Sequence, residues 1–162
     1  MFTFPVIQNI FVPVFFDLPK EANHLAPLFK ILGIEHIAIA VNDTKEPSEL
    51  FGGLLGIKNT STEEVEDQGV ITDIFDTGSG KVELLKATSD DSPISKFLIK
   101  RGEGIHHIAF LVDNLQLALD ELSETGIKLI DSHPRVGAEG MLIAFLHPSS
   151  TSGVLVELCQ KP

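Results

Sequence analysis

The chain has 162 residues, enough for one ordinary domain with a sizeable core or for two small modules sharing one, and too few for two independent large domains. Hydrophobic residues make up 43% and charged residues 22%, which excludes disordered and fibrous classes. Twelve Lys and Arg against 23 Asp and Glu leave a net charge of −11, so repulsion argues against nucleic acid or an anionic membrane surface as a partner.

The first stretch, MFTFPVIQNIFVPVFFDLP, is apolar but broken by Pro5, Pro13 and Pro19, and no basic residue precedes Lys20. No run in it approaches the roughly 18 apolar residues of a spanning helix. Residues 1–30 are expected to form an irregular extension packing on the domain or on a partner chain, or to come from an upstream start, because the repeat described below begins only at about Ile31. The single cysteine, Cys159, cannot form an internal bridge and fits a reducing compartment, with cytoplasm as the expected location.

IEHIAIAV (34–41) has the β-branched, apolar character of a strand. DTKEPSELFGGLLG predicts a short helix with an acidic start, Pro47 in its first turn and a stop at Gly56. A polar stretch runs to Gln68, followed by a strand VITDIFD (70–76), a Gly-Ser-Gly turn and a strand KVELLKA (81–87). A connecting helix is expected within residues 89–103. IHHIAFLV (105–112) then opens a second β-α-β-β-β series: the helix NLQLALDELSETG, the segment IKLIDS, a loop HPRVGAEG, a strand MLIAFLH (141–147), and a strand GVLVELC (153–159).

The two series are copies. Gly33, Ile34, His36, Ile37, Ala38 and Val41 match Gly104, Ile105, His107, Ile108, Ala109 and Val112 at a constant offset of 71, and Val82-Glu83-Leu84 matches Val156-Glu157-Leu158 at an offset of 74. The expected fold is therefore α+β: two tandem β-α-β-β-β modules, 31–88 and 104–160, forming a curved mixed sheet around a metal cavity. A carboxylate on an apolar strand is costly to bury without a counter-charge or a cation, yet one recurs at the same place in both copies. If the modules pack by pseudo-twofold symmetry, His36, Glu83, His107 and Glu157 converge. Two imidazoles and two carboxylates suit a divalent transition ion and leave coordination positions open. His106 has no histidine counterpart and is expected to point away from the metal, as a surface residue or as a partner behind a ligand. His24 and His133 have no counterpart either; His147 ends a strand and is a candidate for the pocket mouth.

The chain resembles the vicinal oxygen chelate superfamily, which includes glyoxalase I, extradiol dioxygenases and methylmalonyl-CoA epimerase, and it is most similar to the epimerase family. The similarity covers residues 31–160 and is carried by HIAIAV, EDQGV, KVELL, DSPISKFL, GEGIHHIAF, PRVGAEG, AFLHP and GVLVEL. It implies metal ligands at His36, Glu83, His107 and Glu157, one divalent ion (Co²⁺, Zn²⁺, Ni²⁺ or Mn²⁺), a small-molecule acyl-CoA substrate and a homodimer. The implied reaction interconverts (2R)- and (2S)-methylmalonyl-CoA by proton removal and return at C2, through a metal-stabilised enolate. Some family members carry a glutamate where this chain has Thr72. A hydroxyl is a poor base, and Asp73 should face the other side of its strand, so Glu157 and Glu83 are the expected acid/base pair. The family commonly has Lys where Ser149 stands; Lys96, Lys100 and Arg101 are candidates for contacts to the acyl-CoA phosphates, or else form a solvated helix end. Three alternatives remain open: lactoylglutathione lyase (glyoxalase I) chemistry on the same quartet, an iron(II) dioxygenase triad of His36, His107 and Glu157, and a metal-free binding protein of the same fold.

Overall fold

The computed structural model describes residues 26–162, so most of the expected extension, and His24 with it, lies outside the described residues. The core of the fold is a mixed eight-stranded sheet in the order β2-β3-β4-β1-β5-β8-β7-β6. In the first half β1 (Ile31–Ala40) pairs in parallel with β4 (Lys81–Ala87), while β2 (Lys58–Val65) and β3 (Val70–Asp76) extend the sheet by antiparallel pairing. The second half repeats this with β5 (Gly104–Val112) parallel to β8 (Leu155–Gln160), then β7 (Leu142–Leu146) and β6 (Arg135–Val136). The two halves join where β1 and β5 run antiparallel with Ile37 opposite Ile108. Those two residues are equivalent in the repeat, so the pseudo-twofold axis passes between them.

Parallel neighbours need a crossover, and the helices of each half supply it. In the first half this is α1 (Lys45–Ser48), continued as a π-type turn over Glu49–Leu54; in the second it is α3 (Leu115–Glu124). The side chain of Asn114 accepts from the Leu117 N–H and starts α3, whose Leu115, Ala118 and Leu119 are buried with Val112, Ala144 and Leu158. On the same side, Phe75 and Leu84 are fully buried beside Val41. Each such side chain contributes about 1.5–3 kcal/mol by leaving water. A further helix, α2 (Pro93–Arg101), is capped by Ser92 and packs Ile94 over Ala38, Ala40 and Leu85, on the sheet face that carries His36 and Glu83.

Two expectations about the sheet edges need correction. The polar stretch before Gln68 contains a full strand, β2, whose Thr62 and Thr60 hydroxyls bond Asp73 and the Ile74 carbonyl of β3. Its outer charges are those of an edge strand protected against further pairing. In the second half the segment IKLIDS forms no ladder strand: Ile127–Ser132 runs beside β7, with the isolated bridge Leu129–Leu146 and with Phe145 bonded to the Ile130 N–H and the Asp131 carboxylate, and the edge strand is the short Arg135–Val136, inside the expected loop. The sheet curls until its two edges meet. Glu63 of β2 accepts from the Glu139 N–H at 2.9 Å, and Arg135 of β6 stands 3.7 Å from Asp67.

Candidate metal centre and active site

The register places the four expected ligands in two adjacent lateral rows. Glu83, Ala38 and His107 lie side by side across β4, β1 and β5, and His36, Ala109 and Glu157 lie side by side across β1, β5 and β8. Side chains in one row share a face. The alanines between them, both fully buried, leave the space into which the larger groups lean. All four ionisable residues are buried, in a narrow cleft of about 40 Å³ that also reaches Thr72 and Glu139.

Three of the four come together. The Nε2 atoms of His36 and His107 are 2.9 Å apart and share a hydrogen bond, with Glu157 at 3.4 Å from His107 Nε2 and 3.9 Å from His36 Nε2. Two nitrogens held by one ion at about 2.1 Å are themselves about 3 Å apart, so this cluster has the spacing and the donor chemistry that a divalent ion requires. Glu83 stands at the other edge of the His36 ring, 3.5 Å from Nδ1, and accepts from the Thr72 hydroxyl at 3.3 Å. It is adjacent to the cluster rather than part of it.

Behind the cluster stand His106, expected on the surface or as a partner behind a ligand, and Glu35, which the match between the two copies does not single out. Glu35 Oε2 is 2.7 Å from His36 Nδ1, and His106 Nδ1 is 2.9 Å from His107 Nδ1. Glu35 and His106 are equivalent in the repeat, and both sit where the β1–β5 pairing skips a residue: Ile34 pairs with Phe110 and His36 with Ala109, then Ala38 pairs with His107 and Ile39 with Ile105. These bulges turn each residue beside the histidine that follows it instead of onto the opposite face. His106 also meets the Phe97 ring edge-on, and it contributes no atom to the cluster.

The electrostatics follow from burial and from these partners. Burial disfavours a charged His36, but the bond to Glu35 and the negative charges of Glu83 and Glu157 outweigh it and raise its pKa to about 9. His107 is pushed well below its usual value by burial and then by the charge of His36. Burial raises Glu83, and raises Glu157 to about 7. Burial would also raise Glu35, yet hydrogen bonds from His36 and Lys81 hold it down at about 2. His106 falls to about 4 through burial alone.

The remaining candidates lie elsewhere. Asp73 faces the opposite side from Thr72, accepting from Ser48 and Thr62. His147 does not reach the cleft: it is exposed and bonds the amide and hydroxyl of Ser149. His133 is exposed near Gln116. Lys96, Lys100 and Arg101 lie exposed on α2, and the Arg101 guanidinium sits over Phe97.

A family model, the glyoxalase/bleomycin resistance protein/dioxygenase superfamily, matches residues 35–145. The uncharacterised Bacillus subtilis protein YqjC is 45% identical over 78% of this chain and 91% of its own length. The mouse mitochondrial methylmalonyl-CoA epimerase is 35% identical over 90% of this chain and 83% of its own. The chain belongs to the methylmalonyl-CoA epimerase family of the glyoxalase superfamily. A solved methylmalonyl-CoA epimerase, in complex with methylmalonyl-CoA and NH4+, superimposes on this epimerase-family fold with a TM-score of 0.77 at 34% identity, covering 82% of this chain and 96% of that one. No helix among the described residues is long and apolar enough to cross a membrane.

Proposed function

We propose that this chain is a divalent-metal-dependent methylmalonyl-CoA epimerase that interconverts the (2R) and (2S) forms through an enolate. The observation that carries the proposal is the buried meeting of His36 Nε2, His107 Nε2 and Glu157 in a chain similar over most of its length to methylmalonyl-CoA epimerases. His36, His107 and Glu157 would hold the ion, with Glu83 beside the His36 ring as the candidate fourth ligand. The ion (Co²⁺, Zn²⁺, Ni²⁺ or Mn²⁺) supplies a Lewis acid, which makes a proton α to a thioester removable by a carboxylate.

The chain's own residues do the rest. Glu83 and Glu157 come from equivalent places in the two halves and flank His36 at its two edges, so they offer carboxylates to the two faces of a planar substrate anion. Glu157, placed beside the Nε2 atoms of both histidines, is the first candidate for the general base. Thr72 holds Glu83 by a hydrogen bond and takes no proton itself. A second, more apolar cleft continues from His107 past Ile94, Phe145 and Leu155, and it gives an acyl-CoA a path to the ligands. A homodimer in the cytoplasm is part of the same proposal.

Side-by-side assay of purified, metal-loaded protein with (2R)-methylmalonyl-CoA and with the methylglyoxal–glutathione adduct tests it. Epimerisation of the first with no turnover of the second is expected. Turnover of the adduct alone would replace the epimerase by lactoylglutathione lyase chemistry, and protein that binds no metal and turns over neither would leave a binding module.

A further inference from the structure

Lys81 lies directly opposite His36 in the parallel β1–β4 pair, and its ammonium is shared by two carboxylates of different origin. One is Glu35, at 2.7 Å, whose other oxygen holds His36 Nδ1. The other is Glu139, from the segment Arg135–Met141 that lies across the cleft mouth. The turn before Lys81 is built for this approach: a Cβ at Gly80 would meet the Ile34 carbonyl oxygen at 3.3 Å and the Glu35 carbonyl oxygen at 3.6 Å.

The segment that carries Glu139 is held in an uncommon shape. Glu139 has φ of 53°, a left-handed conformation that non-glycine residues rarely adopt without compensation. Its compensation comes from the other half of the protein, through its N–H to Glu63 and its carboxylate to Lys81. Beside it Gly137 lies so close to Ile143 that a Cβ would meet that side chain at 2.9 Å, and its N–H bonds the Met141 carbonyl at 2.8 Å. Segment and sheet therefore fit each other in one arrangement, with the Lys81 ammonium as the joint.

We propose that Lys81 is a positioning residue that couples closure of the Arg135–Met141 segment over the cleft to the orientation of His36, through Glu139 on one side and Glu35 on the other. When the segment is seated, Lys81 is fixed between the two carboxylates, and Glu35 is fixed in turn on Nδ1 so that Nε2 faces His107. When it lifts, Lys81 loses one of its two partners, Glu35 is left with an ammonium held on one side only, and the ring is freer to turn. Entry of substrate and completion of the metal-binding geometry are thereby one event.

The test uses metal-free protein first. Histidine labelled with ¹⁵N reports the Nδ1–H of His36, and amide hydrogen exchange reports Gly137. In Glu139→Gln, which does not touch His36, the His36 Nδ1–H signal is expected to move and Gly137 exchange to rise roughly two- to fivefold, the range of a partly exposed ion pair. Lys81→Met should show both effects, Lys81→Arg should restore both, and the double variant Lys81→Met with Glu139→Gln should be no worse than Lys81→Met alone. A His36 signal at its parent position in Glu139→Gln, or losses that multiply in the double variant, would overturn the coupling. The kinetic arm rests on the epimerase function proposed above: metal-loaded Glu139→Gln is expected to lose kcat as well as gain KM, whereas a segment that only covers the cleft changes KM alone and overturns the proposal. Because the first two readouts need neither metal nor substrate, an inactive parent would remove the epimerase function while leaving this inference to stand or fall on the spectra.

Discussion

Glu35 and His106 occupy the same bulge in the two halves of the sheet, and each rests on the Nδ1 of the histidine that follows it. One partner is an anion and the other a neutral imidazole, so the two cluster histidines are equivalent in backbone and unequal in electronics. Glu35 makes His36 the stronger donor, while His107 is held neutral and only oriented.

Metal content should follow that distinction. His107→Ala is expected to lose the ion, because it removes a nitrogen from the cluster. Glu35→Ala and His106→Ala should each keep one ion per chain but bind it about 10–100-fold more weakly, as is usual when the partner behind a ligand is lost. Titration with Co²⁺ followed by visible absorption measures all three. If His106→Ala lost the metal and His107→Ala kept it, the assignment of the two adjacent histidines would be reversed.

The repeat made the centre of this protein legible in its sequence and left the edges illegible. His36, His107, Glu83 and Glu157 stand out because their residue types recur at equivalent strand positions, and strand pairing then dictates where they meet. Glu35 escapes such a comparison because its counterpart is a histidine, and strand alternation leaves His106 between the surface and a place behind a ligand; only a bulge, which depends on the pairing of two distant strands, sets both beside the cluster histidines. Lys81 and Glu139 escape for a related reason: they come from different halves and meet only once the sheet has curled. The edge strands leave little trace in the sequence because β2 is polar on its outer side and β6 is two residues long. Asp73 obeyed simple alternation, since no bulge interrupts the β3–β4 register.

Asp73 is expected to matter for stability and not for rate. Its buried carboxylate accepts from Thr62 at 2.6 Å and Ser48 at 3.0 Å, tying β2 and α1 to the sheet face away from the cluster. Asp73→Ala leaves both hydroxyls without this partner and should cost about 1–3 kcal/mol in chemical denaturation. The epimerisation rate per folded molecule should stay at the parent value; a loss of a hundredfold in fully folded protein would make Asp73 a base after all.

Metal affinity should rise with pH across the neutral range. With His36 at about 9 and Glu157 at about 7 in the metal-free site, an ion entering at pH 7 must displace the His36 proton and part of the Glu157 proton. Affinity should gain about tenfold per pH unit for each proton displaced, and isothermal titration in buffers of different ionisation enthalpy counts those protons. The metal-free fold should respond in the opposite direction. The raised His36 value stabilises it fully below pH 6.5, and that contribution disappears as pH rises through about 9. An affinity independent of pH between 6 and 8 would contradict both charge assignments.

Proton transfer should depend on Glu157 and Glu83 and hardly at all on Thr72. Glu157→Gln keeps an oxygen within reach of the histidine cluster and removes the basic group, so it separates base chemistry from ligation more cleanly than alanine does. A rate lower by roughly 10²- to 10⁴-fold is expected with metal content retained, the usual cost of a lost acid/base group. Glu83→Gln should produce a loss of similar order if each carboxylate serves one face of the substrate anion, and hydrogen–deuterium exchange at C2 in D₂O should then fall for one stereoisomer more than for the other. Thr72→Ala removes only a 3.3 Å hydrogen bond to Glu83 and should cost a few-fold at most. Both metal content and rate must be read on the same sample: a Glu157→Gln protein that keeps its metal and its rate would make Glu157 a ligand alone, and a large loss in Thr72→Ala would place a water-relayed base beside Thr72 instead.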